Sequence, residues 1–204
     1  MIGLLIKDYY TLIRQMKIML LIIIVFTLIP GFSASGFAVV YAVLLPISAI
    51  AYDERSKWDS LAAMMPYSAK NLVLSKYLLG LFSLAAVVFL SVIVESLYGL
   101  IKNSSVGIPE IASIIVTMCV AMILQGIVLP LMFKLGVEKG RLAFFVVIAV
   151  VVFTGVSFSG NIPEPVIYLF DNLNIFLPGA ILAALLINVV SVMLSTRFYK
   201  AKDY

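Results

Sequence analysis

The stretch YDERSKWDSLAAMMPYSAKNLVLSKYL, residues 52–78, is a charged segment between two long apolar runs. Four basic residues lie within it: Arg55, Lys57, Lys70 and Lys76. Charged side chains are costly at the centre of a lipid bilayer, so such a segment is expected outside the hydrocarbon core. It is therefore predicted to be a polar connection between two membrane spans.

The other basic residues follow the same pattern along the chain. Of the 14 Lys and Arg residues, all but Lys102 fall into four short segments between apolar runs: residues 7–17, 53–78, 134–141 and 197–202. Basic loops beside membrane spans stay in the cytoplasm. The pattern therefore predicts that the four segments and both termini are cytoplasmic, and that the number of spans is even.

The composition is that of a membrane protein. The chain is 64% hydrophobic and 12% charged, against about 45–50% apolar and about 25% charged residues in soluble domains. The net charge of +4 is explained by the basic loops. Because these cations are scattered rather than grouped on one face, no nucleic-acid partner is expected. We predict one multi-pass domain over residues 1–204 in the plasma membrane, with the lipid bilayer as its solvent.

Several kinds of chemistry are excluded by missing residues. Cys119 is the only cysteine and the chain has no His, which excludes a disulfide framework, His-metal sites and Ser-His-Asp triads. Gly136 and Gly140 have neither the spacing nor the Lys-Ser/Thr ending of a P-loop. We expect no catalytic residue, metal or cofactor on this chain, so any ATP would be bound by another chain.

The apolar runs predict six membrane spans. The uncharged run from Ile18 to Tyr52 is broken at Pro30-Gly31 into two short pieces, which are two spans or one re-entrant hairpin. The other predicted spans are residues 79–101, 111–133, 142–160 and 174–196, with outside loops at 102–110 and 160–171. Three polar side chains in these spans are candidates for a transport pathway or a seam between two chains: Glu95, Gln125 and Asn188.

Residues 1–16 are predicted to form an amphipathic helix in the cytoplasmic interface. Their apolar residues recur at helical spacing, and the opposite face carries Lys7, Asp8, Thr11 and Arg14. This helix would direct its cations toward lipid headgroups. Two roles remain open for it, an anchor before the first span and a docking element.

A short helix with an apolar stripe is predicted within residues 53–66. Asp53 would cap its start, Pro66 would end it, and Ser68 would cap a second helix that enters the third span. The stripe has i, i+3, i+4 and i+7 spacing: Trp58, Leu61, Ala62 and Met65. A cytosolic helix of this kind either docks on a protein partner or lies on lipid.

This segment resembles the first cytoplasmic loop of six-span permeases of type-2 ABC exporters, including the phenol-soluble modulin exporters. The resemblance rests on four elements: Asp53-Glu54-Arg55-Ser56-Lys57-Trp58, Met65-Pro66, Ser68-Ala69-Lys70 and Val73-Leu74-Ser75-Lys76-Tyr77. Met65 stands where the family usually has Leu. The resemblance implies an all-α integral membrane protein with six transmembrane helices, an N-terminal amphipathic elbow helix (1–16) and a cytoplasmic coupling helix within the segment 53–78.

In such exporters the coupling helix docks on a separate cytosolic ATPase, which binds ATP and Mg²⁺, and two permeases work with two ATPases. The implied coupling residues are Asp53, Glu54, Arg55, Lys57, Trp58, Leu61, Ala62, Met65 and Pro66. The second permease is either a copy of this chain or a related one. The expected cargo is an amphipathic or antimicrobial peptide, or a similar amphiphile. The alternative is a standalone membrane protein that sequesters a toxic peptide or regulates a partner.

Overall fold

The computed structural model describes residues 2–29, 32–101, 108–159 and 173–201. Regular structure within these ranges is helical throughout, as the sequence predicts. The helices are α1 (Ile2–Gln15), α2 (Lys17–Leu28), α3 (Phe32–Arg55), α4 (Trp58–Ala63), α5 (Ala69–Ile101), α6 (Ile108–Leu135), α7 (Val137–Ser159) and α8 (Leu173–Lys200). The break at Pro30-Gly31, residues 102–107 of the predicted outside loop 102–110, and the predicted loop 160–171 lie outside the described residues. Residues 108–110, predicted to be part of the first loop, instead belong to the first turn of α6.

Four of these helices contain segments that are long and apolar enough to cross a membrane: Gly36–Arg55, Ala69–Ile101, Ala112–Leu135 and Phe176–Lys200. A fifth candidate arises if α1 and α2, which meet at an angle of 81°, form one broken span. Alone, the 12-residue α2 extends only about 18 Å at 1.5 Å per residue, short of the roughly 30 Å hydrocarbon core. The structure thus supports a multi-pass membrane protein, while six spans stay a prediction.

The boundary between loop and span before α5 matches the sequence prediction. Ser68 caps α5, because its hydroxyl oxygen accepts a hydrogen bond from the Asn71 backbone N–H at 3.3 Å. From Ala69 the helix continues without interruption to Ile101, over 33 residues. The predicted second cytoplasmic helix and the third span are therefore one rigid element.

Inside the bundle, α6 packs most extensively on α8, and a polar cluster joins this pair to α5. The Tyr77 hydroxyl hydrogen-bonds with the hydroxyls of Ser191 and Ser195, at 2.8 Å from the latter. The Ser191 hydroxyl in turn donates to the Gly126 carbonyl oxygen. These buried bonds satisfy the polar groups of one another and tie three helices together.

Two of the predicted pathway or seam residues belong to this region. Asn188 donates to the carbonyl oxygens of Met122 and Ala184, each at 2.9 Å, and Gln125 lies beside Tyr77. Both are nearly inaccessible within the single chain, so neither lies on a surface open to a second permease here. Their role in a transport pathway stays a prediction, as does that of the half-buried Glu95 on α5.

The four basic segments, over the residues that the structure describes, lie at one end of the helix bundle. Lys7 of α1 contacts Asp53 at the end of α3 at 2.6 Å. The neighbouring Glu54 accepts a hydrogen bond from the backbone N–H of Val137, at the start of α7, at 3.0 Å. At this same end the hydroxyl of Tyr199, near the C-terminus, donates to Asp59 at 3.1 Å. A shared end of the bundle is what the sequence pattern predicts for these segments.

This arrangement predicts the outcome of cysteine labelling in intact cells. With Cys119 replaced by Ser, a single cysteine at Glu164 should react with a membrane-impermeant maleimide. A cysteine at Ser60, which is exposed on α4, should react only after the membrane is opened, because positively charged ends face the cytoplasm. Labelling at Ser60 in intact cells would overturn the orientation.

Candidate coupling site

The predicted helix over residues 53–66 is divided in the structure. Helix α3 continues through Arg55, a turn follows in which Lys57 has a left-handed φ of 53°, and α4 covers only Trp58–Ala63. Asp53 therefore lies in the last turns of α3, and the prediction that it caps α4 is wrong. Pro66 also lies beyond the end of α4, after a turn that includes Met64 and Met65.

Asp53 is held in α3 by a buried network of four charged side chains. One of its carboxylate oxygens accepts from Lys7 and the other from Lys76, each at 2.6 Å. Asp8 binds Lys76 at 2.6 Å and Lys7 at 3.1 Å. The network thus joins α1, α3 and α5 through two lysines and two aspartates.

The network is largely withdrawn from solvent. The side chain of Asp8 is 1% exposed and that of Lys76 is 7% exposed. Removing charges from water is expensive, so each must be compensated by close partners of opposite sign. The two positive and two negative charges balance here, although the second oxygen of Asp8 has no hydrogen-bond partner among the described residues. The relative positions of three helices are therefore constrained by one electrostatic requirement.

Glu54, next to Asp53, points to a different element. Its carboxylate accepts the backbone N–H of Val137, one of the N–H groups at the start of α7 that lack a partner within the helix. Gly136, which precedes α7, has a φ of 78°, a left-handed conformation that glycine adopts without steric cost. Adjacent carboxylates at the end of α3 thus fix α1 and α5 on one side and α7 on the other.

The base of α4 is packed against this framework. The Lys7 ammonium lies 4.5 Å from the centre of the Trp58 ring, in a cation–π contact. Ala62 is 1% exposed, and Asp59 accepts the hydrogen bond from Tyr199 of α8. A cavity of about 30 Å³ remains between these elements, enough room for a water molecule.

The tip of α4 and the turn after it are exposed. Leu61 is 50% exposed, Met64 85% and Met65 41%. The predicted stripe is therefore split, with Ala62 facing inward, Trp58 half-buried and the other two residues outside. Met64, which the sequence analysis did not single out, is the most exposed member of this apolar tip. An exposed apolar tip that is rich in methionine is suited to docking on another protein.

Sequence reasoning missed Asp8, Lys76 and Tyr199. A signal for Asp8 was present, because Leu4, Asp8 and Leu12 are four residues apart and share one face of α1. This face is turned toward the bundle, and the predicted placement of Lys7 toward lipid headgroups is wrong. Sequence spacing does not reveal that Lys7 pairs with Asp53, 46 residues away, or that Asp8 pairs with Lys76, 68 residues away.

Breaking this network should be costly. The change Lys76→Gln leaves two buried carboxylates with one lysine. We expect it to lower the free energy of unfolding by about 3 kcal/mol or more. Lys70→Gln, on the exposed side of the same helix, should be nearly neutral. Thermal unfolding of the purified variants in detergent measures both. Equal stability of the two variants would contradict a structural role of the network.

The comparison with known proteins places this chain in a family. No curated protein and no solved structure gives a match. A family model described as ABC-2 family transporter protein matches residues 3–200, which is nearly the whole chain and includes every element of the coupling site. The match agrees with a multi-pass membrane protein made of apolar helices. The chain belongs to the ABC-2 family of transporter proteins.

Proposed function

We propose that this chain is the transmembrane subunit of an ATP-driven exporter, powered by ATP hydrolysis on a separate cytosolic ATPase. The ATP and Mg²⁺ are bound by that partner, because the sequence of this chain has no P-loop signature. Membership of the ABC-2 family supports the transport role. The remaining support comes from the shape and contacts of α4.

The observation that carries the proposal is an exposed apolar tip on a firmly held helix. Leu61, Met64 and Met65 project from the end of the bundle that holds the basic segments. Methionine and aromatic side chains are enriched at the centres of protein interfaces, with charged residues at the rim. Arg55 and Lys57 are exposed beside the tip and supply that rim.

The contacts at the base of α4 would pass a displacement of α4 on to the other helices. Trp58 is held by Lys7 of α1, and Asp59 is held by Tyr199 of α8. The turn before α4 adjoins Asp53 and Glu54, which bind α1, α5 and α7. A force applied to the tip by an ATPase would therefore reach four further helices without passing through a flexible linker.

The proposed membrane arrangement has six crossing helices, α2, α3, α5, α6, α7 and α8. In this arrangement α1 is the elbow helix, which lies along the cytoplasmic interface and turns by 81° into α2. The exposed side of α1 is apolar, through Ile6, Tyr9, Tyr10 and Ile13, and suits contact with lipid. The proposed cargo is an amphipathic peptide, as the resemblance to modulin exporters implies.

Coupling is tested by matched truncations. In the complex of the chain with the ABC ATPase that co-purifies with it, Leu61→Ala and Met64→Ala should weaken ATPase binding without changing thermal stability. Interface hot spots commonly cost about 2 kcal/mol on truncation, or roughly 30-fold in affinity. Leu142→Ala, also at an exposed leucine, is the control and should leave binding unchanged.

Trp58→Ala separates docking from internal packing. Because Trp58 is half-buried against Lys7, its truncation should lower both thermal stability and ATPase binding. Normal ATPase binding and peptide-stimulated ATP turnover in all three variants would refute docking through α4. A chain that never co-purifies with an ATPase, yet binds an amphipathic peptide, would favour the standalone binding protein.

The transport pathway is proposed to form between two permeases. One chain of this size leaves little room to enclose a peptide, and homo-oligomers commonly close with two-fold symmetry. We expect native mass measurement of the solubilised, transport-competent complex to give two permeases and two ATPases, with either identical or related permeases. An active particle with a single permease would exclude this arrangement.

A further inference from the structure

A second cavity lies beside the coupling site, between the α1–α2 bend, the end of α3 and the start of α7. Its volume of about 580 Å³ falls within the roughly 300–1,000 Å³ range of small-molecule sites. The Tyr52 hydroxyl closes one side by donating to the Gln15 carbonyl oxygen at 3.3 Å. The cavity lies where apolar helices give way to the basic end of the bundle.

The lining of this cavity has two sides of different chemistry. Met16, Ile18, Met19 and Ala51 provide an apolar side, and Ile18 is 69% exposed. The polar side carries Arg55 and Arg141 together with carboxylates. A small soluble anion would leave the apolar side in contact with water. The lining therefore suits an amphiphile with a charged head.

The two arginines are available to a ligand. Both are exposed, and the ion pairs found among the described residues involve Lys7 and Lys76 rather than either arginine. Of the carboxylates on the polar side, Glu54 accepts the Val137 N–H, and Glu138 lies in the first turn of α7, where the helix dipole favours its negative charge. The guanidinium groups can therefore donate hydrogen bonds to a ligand in the cavity.

We propose that this cavity binds the headgroup of an anionic phospholipid from the adjacent leaflet. The phosphate would lie between Arg55 and Arg141, since guanidinium groups form paired hydrogen bonds with phosphate oxygens. The acyl chain would lie along Ile18 and Met19. Basic pockets between helices at the membrane surface bind lipid headgroups by this chemistry. Only the identity of the leaflet rests on the orientation proposed above; the site itself needs no ATPase and no cargo.

The test is lipid binding to the purified full-length chain, followed by native mass spectrometry. Phosphatidylglycerol is titrated against wild type, Arg55→Gln, Arg141→Gln and the double variant. Each substitution should weaken binding about tenfold, as expected for loss of charge-assisted hydrogen bonds. Arg14→Gln and Lys70→Gln remove exposed cations that do not line the cavity and should bind like wild type.

Further measurements test whether the ligand is a lipid or a soluble phosphate, and whether the guanidinium geometry matters. Phosphatidylcholine should bind more weakly than phosphatidylglycerol, and glycerol 3-phosphate at the same concentration should not displace the lipid. Arg55→Lys should fall between wild type and Arg55→Gln, because it keeps the charge but loses the paired geometry. Unchanged thermal unfolding shows that the variants are folded. Equal phosphatidylglycerol binding by wild type and a folded double variant would overturn the proposal, as would equal losses in the two control variants.

Discussion

The end of the helix bundle that holds the basic segments is organised by the requirement to neutralise buried charge. Two lysines and two aspartates from α1, α3 and α5 meet with oxygen–nitrogen distances of 2.6–3.1 Å. An unpaired charge at this depth would cost several kcal/mol, so no one of the three helices can shift far without the others. The position of the α3 terminus, and with it the start of α4, follows from this electrostatic balance rather than from local helix preference.

The neighbouring carboxylates Asp53 and Glu54 extend that constraint to the rest of the molecule. Successive residues on a helix project about 100° apart, so one side chain reaches the lysines while the other reaches the start of α7. The chain between α3 and α4 has only Ser56 and Lys57, and Lys57 adopts a left-handed conformation. Such a short connection has few bonds that can rotate, so it holds the start of α4 close to the end of α3.

Local and long-range features differ in how well the sequence predicts them. Apolar runs and the Ser68 cap depend on neighbouring residues, and the helices α5, α6 and α8 lie close to their predicted positions. The Asp53 cap failed because its carboxylate binds lysines far away in sequence. Gln125 and Asn188 show the same limit: a polar residue in a span must avoid lipid, but its sequence does not reveal whether its own helices or another chain cover it.

Helix α1 faces the bundle with the side that carries Asp8 and leaves several apolar side chains exposed. In a soluble protein the apolar side of such a helix would face the core, whereas here Asp8 is buried and Ile6, Tyr9 and Ile13 are exposed. The inversion is stable if the exterior is lipid, because apolar side chains then need no shelter and charged ones do. On the side of α1 that faces the bundle, Lys7 makes two contacts: an ion pair with Asp53 and a cation–π contact with Trp58. The sequence left two roles open for α1, an anchor and a docking element. Through these contacts α1 also forms one wall of the candidate coupling site.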